Sequence, residues 1–78
     1  MKEILIVEDD KKISRIIELQ LNHAGFVTTK AFTGREGIEA FNNHPAFDLV
    51  LLDIMLPEAS GYEVLQYIKS RNSQLPVI

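Results

Sequence analysis

The sequence contains no cysteine, which removes disulfides, thiolate zinc sites, redox dithiols and a cysteine nucleophile from consideration. That is compatible with a reducing compartment. Basic residues are in the minority, eight Lys and Arg against eleven Asp and Glu, for a net charge of −3. With no basic run either, the chain lacks the electrostatic footprint of a nucleic-acid binder. Long hydrophobic runs are missing too. The longest, Ile4-Leu5-Ile6-Val7 and Leu49-Val50-Leu51-Leu52, fall far short of the roughly 18 to 20 residues of a membrane span. The N-terminus has only four apolar residues before Glu8-Asp9-Asp10, so it is no signal peptide and the cytoplasm is the expected location. Glycine and proline are scarce, four and three residues, while 46% of the chain is hydrophobic and 24% charged. That is the composition of a chain that folds. Seventy-eight residues allow one small domain, and at this size only about 60% of the unfolded surface is buried, so stability is marginal without a metal or a partner.

What is present alternates between short apolar runs and stretches of helical spacing, the pattern of βαβ units around a parallel sheet. Ile4 to Val7 is apolar throughout and reads as an interior strand covered on both faces. Ile13, Ile16, Ile17, Leu21 and Ala24 recur at spacings of three and four, predicting a helix over about residues 11 to 24, with Asp10 as its N-cap and Gly25 ending it. Phe26 to Ala31 is more polar and suits an edge strand. Thr33-Gly34-Arg35-Glu36 spells a capping box that starts a second helix, ending near His44-Pro45. Phe47 to Leu52 is a third strand whose near-continuous apolar character again implies burial on both faces. Ser60-Gly61-Tyr62-Glu63 is a second capping box, opening a helix with Val64, Leu65 and Ile68 on its inner side. Leu75 to Ile78 looks like the start of a fourth strand, and a natural boundary does not normally fall there, so the sequence reads as a truncated single domain over residues 1–78.

In an open parallel sheet, sites form in the crevice at the carboxyl ends of the strands. The acids sit there. Glu8, Asp9 and Asp10 end the first strand and Asp53 follows the third. Right-handed crossovers give strand order 2-1-3, so Asp9 and Asp53, 44 residues apart in sequence, converge. Close carboxylates repel unless a cation intervenes. Oxygen-only donors point to Mg²⁺ or Mn²⁺ rather than zinc. A carboxylate beside such an ion and a phosphate site can act as a nucleophile, forming an aspartyl phosphate, and Asp53 is the best-placed candidate. The backbone carbonyl of Met55, in the turn ended by Pro57, is a further oxygen donor. Asp10 is explained by its cap role alone. His23 and His44 lie near helix ends, where the dipole favours them, and read as surface residues. Phe26, Phe32, Phe41, Phe47, Tyr62 and Tyr67 read as core or interface rather than as base-stacking platforms.

Taken together, Ile4-Leu5-Ile6-Val7-Glu8-Asp9-Asp10, Leu51-Leu52-Asp53-Ile54-Met55-Leu56-Pro57 and Gly61 resemble the receiver domain of bacterial two-component response regulators. The resemblance spans the whole chain, and the spacing of four residues from Asp53 to Pro57 and four more to Gly61 is its most specific feature. It implies a partial flavodoxin-like α/β fold, with the first helix on one face of a 2-1-3 sheet and the second and third on the other. It also implies that Asp53 accepts a phosphoryl group from a sensor histidine kinase while Glu8, Asp9, Asp53 and the Met55 carbonyl hold Mg²⁺. The parent protein would then be a cytoplasmic transcription regulator with a separate, DNA-binding output domain, and the chain itself a phosphoacceptor rather than an enzyme.

Receivers run to about 120 residues, within the usual single-domain range. The Ser/Thr after strand four, the Lys after strand five, the aromatic switch residue and the usual signalling surface have no counterpart here. Acceptance is therefore expected to be impaired. Ser60 stands where the family often has Asp, but serves equally as an N-cap. A second reading is an inert, self-associating folding fragment, a homodimer formed through the exposed edge of strands three and four. A metal-dependent phosphatase would want a second Asp where Met55 stands, and a dinucleotide site would want glycines where Glu8-Asp9-Asp10 stand.

Overall fold

A computed structural model describes residues 2–44, 46–54 and 60–78. The elements follow in the order β1 (Glu3–Val7), α1 (Lys11–His23), β2 (Val27–Ala31), α2 (Gly34–Asn43), β3 (Leu49–Leu52) and α3 (Gly61–Arg71). The three strands form one parallel sheet of order β2-β1-β3, as right-handed crossovers require. β1 sits in the middle, with Ile4 to Val7 at most 2% exposed. Its register sets Ile6 against Lys30 on one side and Leu51 on the other. Beyond β3 the expected fourth strand amounts to a single parallel bridge, Val50 to Val77, with Ile78 donating to Val50 O and Leu52 to Ile78 O.

Side chains alternate across a strand, so β1 serves two layers. Leu5 and Val7 join Val50, Phe41, Val64, Ile68 and Leu75 in the core beneath α2 and α3. The two helices are tied to each other by the Tyr67 hydroxyl donating to Asn42 at 2.7 Å and by an edge-on contact between Phe41 and Tyr67. Lys69 reaches from α3 to the carbonyls of Ser73 and Leu75 and so holds the approach to the last segment. Ile6 faces the other way, toward Ile17 of α1.

Helix ends follow local chemistry. The Asp10 carboxylate accepts from the N–H groups of Lys12 and Ile13 and caps α1. At the other end Gly25, with φ +96°, takes the left-handed conformation that lets its N–H donate to Asn22 and that of Phe26 to Leu21, a complete Schellman motif. The Thr33 hydroxyl accepts from Glu36 N–H, and the Glu36 carboxylate reaches back one residue further than the expected cap, to Phe32 N–H. Ser60 caps α3 through Glu63 N–H.

Two expectations need correction. Ile13 and Ile16 of α1 are 46% and 56% exposed and Ala24 is exposed, because the helix lies over β1 and β2 rather than β3 and turns Ser14, not these isoleucines, inward. Ile16, two positions on and so about 200° round the helix from Ser14, points away from the sheet. The position that does face the sheet is Ser14, fully buried with its hydroxyl unpartnered. For the same reason β3 is not buried on both faces, and only Val50 is fully covered. α1 is held on its β2 flank by Glu18, whose carboxylate, 15% exposed, accepts from Lys30 of β2 and from Arg15. The hydrogen bonds from Lys30 and then Arg15 lower its pKa below the usual 4.5. His44 is exposed as expected, yet lies 3.0 Å from Glu3 and edge-on to Phe47.

Candidate functional site

The carboxyl ends of β1 and β3 meet at one end of the sheet. Backbone bonds fix both: Glu8 N–H donates to Ala31 O and Asp53 N–H to Val7 O, each at 3.0 Å. Continuing the ladder for one residue past each strand places Glu8 and Asp53 on adjacent chains. Carboxylate oxygens of Glu8, Asp9 and Asp53 all lie within 4.8 Å of one another. Asp10, beside them in sequence, is turned into the helix cap instead, and its own N–H donates to the Glu8 carboxylate at 3.1 Å. Met55 and Pro57 lie outside the described residues.

Burial raises the pKa of Glu8 above its usual 4.5, the Asp10 N–H pulls it back, and the charges of Asp53 and Asp9 push it up again. Like charges so arranged are stabilised by a cation. The donor set suits a hard divalent ion: three carboxylates within 4.8 Å of one another, with no sulfur or imidazole in the group. Half-exposed flanks leave room for the waters that Mg²⁺ retains.

A cleft of about 330 Å³ runs from Glu8 and Asp53 along the α1 side of the sheet, over Ile6, Leu51 and Ile78 and past Ile17. Its rim is acidic and its floor apolar. Reading the sequence by periodicity alone does not reveal this cleft, since it depends on which flank of α1 is covered. No described helix is long and apolar enough to cross a membrane.

A parallel 2-1-3 sheet with an acidic cluster at the ends of β1 and β3 is the arrangement of a receiver. The sequence model of the response regulator receiver domain matches residues 4–78, and the chain belongs to that family. Among curated proteins it is 47% identical over 75 residues to the uncharacterized transcriptional regulatory protein YkoG of Bacillus subtilis, covering 96% of this chain and 32% of that protein. To the response regulator ArlR of Staphylococcus saprophyticus it is 40% identical over 79 residues, covering 100% and 34%. The chain thus spans about a third of the length of these curated relatives. Among solved structures, the response regulator TrrA of Thermotoga maritima, in complex with Mg²⁺ and BeF, matches with TM-score 0.93 at 32% identity, over 99% of this chain and 66% of that one. The non-phosphorylated HemR receiver domain of Leptospira biflexa matches with TM-score 0.90 at 31% identity, over 99% and 61%.

Proposed function

We propose that residues 1–78 are the leading portion of a phosphoacceptor receiver, in which Asp53 takes a phosphoryl group from a sensor histidine kinase. The observation that carries this reading is the convergence of Glu8, Asp9 and Asp53 within 4.8 Å at the strand ends. These three carboxylates would hold Mg²⁺, or Mn²⁺ in its place, with the Met55 carbonyl as a further ligand. The Mg²⁺–BeF complex of TrrA supports that choice of ion. Bound there, Mg²⁺ would supply positive charge to neutralise that on the transferring phosphoryl oxygens.

The chain's own part is to present a nucleophile. An Asp53 carboxylate oxygen forms the new bond to phosphorus as the bond to the kinase imidazole nitrogen breaks and the electron pair returns to that nitrogen. Asp53 is suited to this by its fixed backbone: its N–H is tied to Val7, so the carboxylate is directed by the sheet rather than by a free loop. Glu8 and Asp9 repel a bare phosphoryl group and so make acceptance depend on the cation. The chain is an acceptor and not an enzyme acting on other molecules.

The kinship with transcriptional regulatory proteins roughly three times its length supports a DNA-binding output domain as partner and the cytoplasm as location. A second property is favoured by the outer side of residues 76–78 and by the apolar cleft beside it, which invite a second copy and a homodimer. Light scattering that gives a monomer mass at high micromolar concentration overturns the dimer.

Intact-mass spectrometry after incubation with a small acyl-phosphate donor tests the main reading. The expected result is a Mg²⁺-dependent phosphoryl adduct that disappears in Asp53→Asn. An adduct that persists in the variant, or Mg²⁺ affinity unchanged by it, overturns the assignment of Asp53.

A further inference from the structure

Asp53 is gripped by the backbone on both sides. Its N–H is bonded to Val7 O, on the strand that leads into Glu8. On the other side the first residue of α3, Gly61, donates its N–H to Ile54 O at 2.9 Å and brings the helix against the peptide that joins Asp53 to Ile54. A Cβ at Gly61 would overlap the Ile54 Cα and lie 2.7 Å from Asp53 O and 2.8 Å from Ile54 O. All three are backbone atoms, so no side-chain rotation relieves the clash. Gly61 is not among the glycines with positive φ, so what it supplies is space and not a left-handed turn.

We infer that Gly61 is a positioning residue for Asp53: by admitting the helix to contact with the 53–54 peptide, it holds that carboxylate against Glu8 and Asp9. The inference deepens the metal and phosphoacceptor reading and rests on it. Which partner yields to an added methyl decides the effect. α3 is anchored by Val64 and Ile68, both 0% exposed, and by its Ser60 cap. Ile54 is 39% exposed and is the softer side. The 53–54 peptide is therefore displaced about the Asp53–Val7 hydrogen bond, and the Asp53 carboxylate turns with it. An octahedral oxygen set tolerates little of such movement, whereas global stability responds equally to any loss of core contact.

The experiment follows the backbone amides of Glu8, Asp9 and Asp53 by nuclear magnetic resonance during Mg²⁺ titration of the 78-residue chain, Gly61→Ala and Ile68→Val, with thermal melts alongside. Ile68→Val loosens the core without touching the Asp53 peptide. The expected result is an about ten-fold weaker Mg²⁺ dissociation constant for Gly61→Ala, the size typical of lost outer-shell support, with Ile68→Val unchanged. A folded Gly61→Ala that binds Mg²⁺ as the parent does overturns the inference, and so does an equal loss in Ile68→Val. Should Gly61→Ala be unfolded, the titration is repeated with trimethylamine N-oxide, which favours the compact state. A variant still unfolded there makes Gly61 a requirement of the fold and overturns the positioning role. If the parent chain shows no response to Mg²⁺, it is the metal reading that fails. The metal-free spectra then decide: amide shifts of Gly61→Ala that extend across the crevice to Glu8 and Asp9 sustain the positioning role, and an unmoved Asp53 amide overturns it.

Discussion

The two faces of the sheet are built from similar side chains and end up in different states. Beneath α2 and α3, Leu5, Val7 and Val50 meet Phe41, Val64 and Ile68, and none is more than 2% exposed. On the α1 side, Ile6, Ile17, Leu51 and Ile78 line an open cleft, and Ile13, Ile16 and Leu19 stand 46%, 56% and 50% exposed. Two helices cover one face and a single helix part of the other. Apolar character thus states that a face needs cover, while the number of elements laid over it decides whether cover is obtained. Cohesion in this chain is correspondingly one-sided, and the acidic crevice borders both the closed core and the open cleft.

Truncations sharpen that contrast most. Ile68→Ala, on the closed face, is expected to lower stability by about 3 kcal/mol, since a fully buried aliphatic loses both transfer energy and contacts. Ile16→Ser on the open face is expected to stay within about 0.5 kcal/mol, as for exposed sites generally. Urea unfolding of the pair measures both, and equal losses would erase the distinction between faces. Ser14→Ala comes next. It removes a buried hydroxyl with no hydrogen-bond partner and replaces it with a better helix former, so a gain of about 1 kcal/mol is expected. A loss in the same unfolding experiment would mean that the hydroxyl is satisfied in solution.

The smallest effect concerns how α1 is fastened at its β2 flank. Glu18 has its pKa lowered by Lys30 and Arg15, so the folded state binds its proton less readily than the unfolded chain does. Its contribution is fully present above the ordinary value of 4.5 and fades as pH falls through the lowered folded value. Glu18→Gln should therefore lower the melting temperature at neutral pH, with the difference vanishing in acid. A difference that persists at low pH would assign the effect to side-chain shape rather than to charge.

Element positions were legible to within about two residues, because caps and apolar periods act locally: β3 begins at Leu49 rather than Phe47, and α1 ends at His23 rather than Ala24. Asp48 leaves the strand because its carboxylate accepts from Glu3 N–H, at the far end of β1. The meeting of Glu8 and Asp9 with Asp53 was legible for a topological reason, the fixed hand of the crossovers. What escaped was set by tertiary placement. A 3.6-residue period identifies a stripe on α1 but not which flank of it finds the sheet, so Ile13 and Ile16 were expected inside and Ser14 was passed over. The grip of Lys30 on Glu18 joins residues of unremarkable spacing and is visible only once β2 lies beside α1. The glycine at 61 was legible as part of a motif, and its contact with the Asp53 peptide was not.

The parallel ladder also bears on the order of events in folding. None of its strand pairs is joined by a hairpin: Glu3 meets Val27, Val50 meets Val77, and Ile4 meets Leu49. The last is the longest closure, and chain entropy rises with each lengthening of the loop, by about 0.6 kcal/mol per doubling. It is also the pairing that carries Asp53 to Glu8. Helices can form before any strand finds its neighbour, whereas the acidic crevice comes into existence only when the most distant contact in the sheet is made.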